Sequence, residues 1–409
     1  MQNNIAKTII GAVALTGTAV AGSAVAPVQE AASHSGSFCE TIQNIGKVYK
    51  DSTNPYIQEV SIFGRFQAQY AYLDGNDQNG DDFNQHFDEA RRVRLGAKVK
   101  AFNGFEFKAN INLVKDDRPK GGDRDWGYDS FDEAKATYSF GDLMGLQDVK
   151  VSYGRHKIGV GFEAHESSKK IKTVERSALS NTIYGPRYTG LLLSGKRAGV
   201  AGTVGVLSLD KSRFVGNWDA GTAIYASARF EALQGTVILD AFYNLDYGDA
   251  SKDQIGVGYE QAYSASWLGD VRGWDFAANV VVGDKGSDAD AGGAERGGAF
   301  WGLVLQPSRF LIEDKLEFVT QYQYQGSSSD AGIRANSRYL SRIESKNASV
   351  DINSRRGDAH HSIYAGLNYH FCGHNSKIMT GIQYEKLDTP AGSDNVDATS
   401  LWAAYRLYF

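Results

Sequence analysis

The stretch Ala90–Ala101 reads ARRVRLGAKVKA, and its residues sort by parity. Val93, Leu95, Ala97 and Val99 fall on one side, while Arg92, Arg94, Gly96, Lys98 and Lys100 fall on the other. A period of two is the mark of a β-strand with one apolar and one polar face. The pattern continues in the next segment, where Phe105, Phe107, Ala109, Ile111 and Leu113 interleave with Glu106, Lys108, Asn110 and Asn112. It returns near the C-terminus, where Ile363, Ala365, Leu367, Tyr369 and Phe371 alternate with Ser362, Tyr364, Gly366, Asn368 and His370.

Working outward from this stretch gives about sixteen such segments. They lie near 58–73, 90–101, 104–114, 131–140, 148–156, 187–195, 199–208 and 220–231, then 235–246, 255–266, 272–283, 298–306, 313–325, 360–371, 376–387 and 399–409. Their connections alternate in length. Short turns at 102–104, 195–198, 232–235 and 268–270 are interleaved with long polar loops near 74–89, 115–130, 157–186, 284–297 and 326–359. A soluble sandwich also alternates, but its loops need not sort by parity and its outer face is polar. The expected fold is therefore all-β: a transmembrane antiparallel barrel over 58–409 with short periplasmic turns and long extracellular loops.

Composition agrees with this and excludes other classes. The 409 residues hold 22 Tyr, 20 Phe and 46 Gly, a supply of sheet and turn formers. After residue 26 there is no apolar run of about 18 residues, which excludes membrane-spanning helices. Residues 1–26 read as a signal peptide, with Lys7 before an apolar core and small-x-small sites that place cleavage near 21–26. Residues 27–57 form a periplasmic segment in which Phe38, Ile42, Ile45 and Tyr49 recur at helical spacing. The last residues, LWAAYRLYF, put Leu401, Ala403, Tyr405, Leu407 and Phe409 on one face and end on an aromatic, as outer-membrane barrel termini do. The two cysteines, Cys39 and Cys372, both fall on the periplasmic side. A bond between them is topologically allowed in an oxidising compartment. Two separate free thiols are the slightly favoured reading, because a sequence supplies no Cα separation.

The formal net charge of −5 counts, taken globally, against an anionic partner. Parity changes that reading. On the first five strands the polar side carries Arg65, Arg92, Arg94, Lys98, Lys100, Lys108, Lys135 and Lys150 against Glu106 and Glu133. Later strands are balanced, with Arg229, Lys315 and Arg406 against Asp240, Asp275, Glu317 and Glu385. The sign of lumen groups selects the solutes of a water-filled barrel. Arginine adds a planar fork that fits two oxygens of a phosphate at once. Arg91 has lipid-facing parity unless a bulge turns it. The charged stretch 157–186, with His165, Glu166, Lys169, Lys170, Lys172, Glu175 and Arg176, either folds inward as a constriction or stays outside as a solvated loop.

Three stretches carry a family resemblance: Phe87–Gly96 (FDEARRVRLG), Asp132–Phe140 (DEAKATYSF) and Tyr153–Ser194. Together they resemble the phosphate-selective porin O and P family over about 60–200. The resemblance implies a sixteen-stranded, homotrimeric outer-membrane channel with infolded loops and cations that guide phosphate or similar anions. The family's Arg-Arg pair matches Arg91 and Arg92, its Gly-Arg strand end matches Arg155, and the lysine on the preceding strand matches Lys135. Arg65, in Phe63-Gly64-Arg65-Phe66, matches less closely. Arg155 shares lipid parity with Val149, Val151 and Tyr153, so its role requires a break in the strand. The family's basic ladder farther along has no clear counterpart here.

Other chemistries have weaker footing. Ser167-Ser168-Lys169-Lys170 contains a Ser-x-x-Lys match without partner motifs. His360, His361, His370 and His374 lie on alternating faces and do not converge on a metal. Asp74–Asp82 is rich in Asn, Asp and Gly, as flexible loops are. No nucleic-acid module is present, and no cofactor or metal is expected. The sequence reads as a porin for passive diffusion of small anions, phosphate or polyphosphate among them, and not as an enzyme. Arg65, Arg91, Arg92, Arg94, Lys98, Lys135 and Arg155 are the expected pore-lining residues. A general porin with weak anion preference is the alternative, and an outer-membrane barrel hydrolase is the contrasting class.

Overall fold

Sixteen antiparallel strands pair consecutively around a ring, and the last pairs with the first. They are β1 (Ile57–Asn76), β2 (Asp82–Ala101), β3 (Phe105–Val114), β4 (Trp126–Leu143), β5 (Leu146–Lys157), β6 (Arg187–Arg197), β7 (Val200–Ser208) and β8 (Thr222–Ala232). The second half comprises β9 (Gly235–Asn244), β10 (Gln261–Val271), β11 (Trp274–Asp284), β12 (Ala299–Ile312), β13 (Leu316–Ser327), β14 (Ala359–His370), β15 (Ser376–Asp388) and β16 (Val396–Tyr408). Closure runs from Arg65↔Tyr408 to Asn76↔Asp397 and leaves no free edge. The computed structural model describes residues 37–114, 126–183, 187–209, 216, 218–246, 259–286, 296–390 and 394–409. The expected signal segment, 1–26, lies outside the described residues.

Each of the sixteen expected segments corresponds to one strand, so the barrel expected from alternation is the observed fold. Several boundaries move. The turn expected at Leu268-Gly269-Asp270 is strand, paired through Gly269↔Phe276 and Asp270↔Asp275. The chain reverses at Arg272-Gly273 instead, with φ of 55° and 81°. A two-residue hairpin in a twisted sheet needs two left-handed residues in succession, and the same solution recurs at Met144-Gly145, Ala198-Gly199 and Leu233-Gln234. The long loop expected over 74–89 is mostly strand. β1 runs on to Asn76 and β2 begins at Asp82 because Asp77 Oδ1 closes a tight turn, accepting the Asn79 and Asp81 amides at 2.8 and 3.1 Å.

The outer face is apolar, with Leu95, Leu191, Val206, Val280, Ile363 and Leu401 exposed on it. Tyr70, Tyr243 and Tyr263 are exposed toward the long-loop rim, and Phe105, Tyr369 and Phe371 toward the short-turn rim. Two aromatic girdles around an apolar band are what a barrel in a bilayer requires. The inner face departs from simple alternation. In the long-loop half it too is apolar, and two infolded loops cover it. The segment 328–358 brings Ile333, Tyr339, Leu340 and Ile343 against Leu73, Phe83, Phe87, Tyr364 and Trp402. The segment 158–183 brings Ile158, Phe162, Leu179 and Ile183 against Tyr188, Leu207, Phe242, Phe300 and Val304.

At the short-turn rim, helix α1 (Phe38–Asn44) is shorter than the expected amphipathic pattern. Tyr49 belongs instead to a short strand, Lys47–Lys50, that pairs with Glu59–Ser61 of β1. The helix lies against the turn after β14, and Cys39 and Cys372 form a disulfide with their Cα atoms 5.2 Å apart. The favoured reading of two free thiols is therefore corrected: 333 residues separate the cysteines in sequence, but ring closure brings them together. Thiol titration of the unfolded, unreduced protein is expected to find no free cysteine, and two after reduction. Proteolysis at 45–56 should release the α1 segment only from reduced protein; release without reductant would contradict the bond.

Candidate functional site

The lumen loop, 158–183, decides what the barrel interior can do. It enters from β5 with the Gly161 amide on Asp240 Oδ2 at 2.9 Å and His165 Nε2 on Asp240 Oδ1 at 2.8 Å. It then crosses to the far wall, where Lys172 Nζ meets Glu317 Oε1 at 3.2 Å and Ser308 Oγ at 2.6 Å. Finally it returns past Arg406, whose Nη2 donates to Val174 O at 2.7 Å. Between the two readings of 157–186 in the sequence, the structure has the inward one; 184–186 lie outside the described residues.

Between this loop and β1–β6 lies a cavity of about 520 Å³. Among the described residues, nine cationic side chains line it: Arg65, Arg91, Arg92, Arg94, Lys108, Arg155, Lys157, Arg176 and Arg187. Two carboxylates among the described residues, Asp132 and Glu133, do so as well. Of the residues expected from sequence, the cavity gathers Arg65, Arg91, Arg92, Arg94 and Arg155. Lys98 and Lys135 stand apart from this lining. Lys98 is paired with Glu59 at 2.6 Å and Lys135 with Glu133 at 3.4 Å. Sequence reading missed Lys157, Arg176 and Arg187 as site residues. Their signal was only that a charged loop and the strand ends beside it would meet if the loop turned inward.

Two bulges and one glycine of unusual backbone angle shape this wall. On β2, Gln67 pairs with Arg92 and Ala68 with Ala90, so Arg91 is an extra residue in a bulge. The bulge lets neighbouring Arg91 and Arg92 both reach the lumen. On β4, Asn110 pairs with Glu133 and Ile111 with Phe131, which leaves Asp132 as the extra residue. On β5, Tyr153 is exposed on the outer face, whereas Arg155 lines the cavity. Between them Gly154 takes φ 132°, a left-handed value that side chains disfavour. A Cβ there would sit 2.3 Å from the Ala134 carbonyl oxygen. The bulge or strand end expected at Arg155 is absent, since pairing runs without a shift from Ser152 to Arg155 on one side and from Lys150 to Lys157 on the other; the local departure is confined to the backbone angle of Gly154.

The cations are held in two ways. Asp132 bridges Arg94 Nη1 at 2.5 Å and Arg187 Nη2 at 2.6 Å. Glu175 takes Arg91 Nε at 2.5 Å and lies 3.8 Å from Arg92 Nη2. Several cations also donate to uncharged acceptors. Arg65 Nη1 reaches Ser168 Oγ at 2.5 Å, and Arg155 Nε reaches the Phe131 carbonyl at 2.8 Å. Lys157 Nζ and Arg176 Nη2 both reach the Glu166 carbonyl at 2.8 Å. Burial alone would raise the Glu175 carboxyl, but Arg91 and Arg92 hold it well below the usual carboxylate range. Burial pushes Glu166 up to about 7 against the pull of Lys172, Arg176 and Lys377.

A closed barrel, an infolded loop and a cation-rich cavity are the setting in which comparison with known proteins becomes informative. Residues 60–231 match the family model of phosphate-selective porin O and P. The match bears out the resemblance seen in the sequence and contains the whole arginine wall. Solved structures agree at the level of fold. The outer-membrane channel DcaP of Acinetobacter baumannii is 11% identical with a TM-score of 0.55, over 88% of this chain and 100% of that one. OmpT, an outer membrane protein of Vibrio cholerae, is 9% identical with a TM-score of 0.54, over 89% and 99%. An anion-selective porin from Comamonas acidovorans is 12% identical with a TM-score of 0.52, over 86% and 99%. No curated protein sequence matches the chain. The chain shares the fold of outer-membrane porins, and its residues 60–231 are similar to that one family.

Two outcomes follow for this barrel. Glu175→Gln leaves Arg91 and Arg92 buried without their counter-charge, and a broken buried pair costs about 3 kcal/mol. Urea unfolding should shift to lower midpoint by a corresponding amount. For Glu166 the sign runs the other way from a depressed acid. A carboxyl raised from 4.5 to about 7 supports the folded loop fully below its unfolded value and loses that support as pH rises through about 7. The ionised form also adds negative charge beside the cavity. The anion-to-cation permeability ratio in bilayers should therefore fall between about pH 6 and about pH 8, and Glu166→Gln should shrink that step.

Proposed function

We propose that this barrel is a porin, a channel and not an enzyme, that favours small anions, phosphate among them, in passive diffusion along the lumen. One observation carries the reading: among the described residues, the cavity beside the loop is lined by nine cationic side chains and two carboxylates. A passing anion exchanges part of its hydration for charge-assisted hydrogen bonds, and guanidinium forks suit the paired oxygens of phosphate. Flux requires that such binding stay weak and multiple. The protein's own acceptors supply that restraint. Arg94 and Arg187 are partly satisfied by Asp132, and Arg91 by Glu175. Arg65 leans on a hydroxyl, a weaker competitor that an incoming anion displaces more readily. Lys98 and Lys135, toward the short-turn rim, act as a diffuse positive field. The homotrimer is taken from the family and is part of the proposal.

Reversal potentials in a chloride gradient test the reading. The native channel is expected to be anion-selective, with chloride current that falls as phosphate is added. Arg65→Ala and Arg155→Ala should each lower the permeability ratio severalfold. A cation-selective native channel would overturn the proposal, and anion selectivity without block by phosphate would favour a general porin with weak preference. Native mass spectrometry of the detergent-solubilised protein should give three copies.

A further inference from the structure

A second cavity, of about 610 Å³, lies between the lumen loop and the wall of β8–β11. It sits toward the short-turn rim, since Arg229, Ile238 and Leu268 are each three residues from the end of their strand. Cationic and apolar surface meet in it, beside two carboxylates, Glu166 and Asp275. Lys170 and Arg229 supply positive charge, and among the described residues neither side chain has a hydrogen bond or ion pair. Lys172 is different, because Asp275 and Glu317 already hold it. Leu268 supplies partly exposed apolar surface in the same chamber, with the buried side chains of Phe162 and Ile238 beside it. The two kinds abut directly, for Ile238 is the cross-strand partner of Arg229.

That juxtaposition has a physical consequence. A hydrated inorganic anion gains from the cations but nothing from an apolar wall, which offers no replacement for lost water. A solute that carries an apolar body beside its charge gains from both, since covering apolar surface is favourable in proportion to its area. We propose that this chamber is a second solute subsite that takes organic anions, in which a phosphate or carboxylate is joined to an aromatic or short alkyl body. The charged end rests on Arg229 and Lys170, and the body on Leu268 and Ile238. His165 and Ser167 line both this chamber and the arginine cavity, so a solute passes from one to the other along the loop. The inference rests on the anion reading above and narrows its substrate class.

The test compares block of chloride current by phenyl phosphate and by inorganic phosphate in bilayers, at one pH and ionic strength. Phenyl phosphate is expected to half-block at a concentration on the order of tenfold lower. Leu268→Ser should bring the ratio of the two values toward one, and Arg229→Gln should weaken block by phenyl phosphate. Ile238→Thr serves the same comparison if Leu268→Ser does not form channels. Equal block by the two anions in the native channel overturns the subsite, as does an unchanged ratio in the variant. A cation-selective reversal potential in the same recordings would instead sink the anion reading itself, so the two failures are distinguishable.

Discussion

In hydrocarbon an unpaired backbone N–H or C=O finds no partner in the solvent. The pairing of Arg65–Asn76 with Asp397–Tyr408 removes the last two edges, and everything inside depends on it. Once the ring is closed, each strand has one face for lipid and one for the lumen. Position along the chain then decides the surroundings of each side chain. Closure also brings the turn after β14 beside the segment before β1, where Cys39 and Cys372 are joined.

Closure leaves an interior that side chains alone do not fill, and two loops take that space. They are linked through the wall by a run of buried polar contacts. Glu175 of the lumen loop binds Arg91, and Gln69 Nε2 lies 3.0 Å from both Glu175 and Glu89. Glu89 in turn accepts Arg338 Nε at 2.9 Å and Tyr339 OH at 2.8 Å from the segment 328–358. Each carboxylate in this chain meets at least one guanidinium, which is how charge is kept away from water without a large penalty. The arginine wall is held in place by loops from both sides, so its geometry belongs to the assembled interior and not to the strands alone.

This explains which features could be read from the sequence. Alternation in Ala90–Ala101 or Ser362–Phe371 reports a backbone period, and that period survives in the barrel whatever fills it. The lumen side of Arg65, Arg92 and Arg94 follows from parity. Arg91 and Arg155 do not, because a bulge and a left-handed glycine are local departures from the rule that parity assumes. Leu73, Phe87 and Trp402 were equally hidden: an apolar residue on the lumen side makes sense only once a loop lies over it. Lys157, Arg176 and Arg187 required the path of 158–183 across the lumen, which depends on contacts with β9–β16 that lie far away in sequence.

The bulge at Arg91 gives this strand an unusual tolerance. Gln67 pairs with Arg92 and Ala68 with Ala90, so Arg91 stands outside the count that fixes the strand's two faces. A deletion of the three nucleotides that encode it would close the bulge and take one guanidinium from the wall, while Phe83, Phe87 and Glu89 keep the lumen side on which the loop is seated. In a regular stretch of strand the same deletion exchanges the two faces, so the number of residues there carries as much information as their identity, and the bulge is the place where one residue can be gained or lost without that cost.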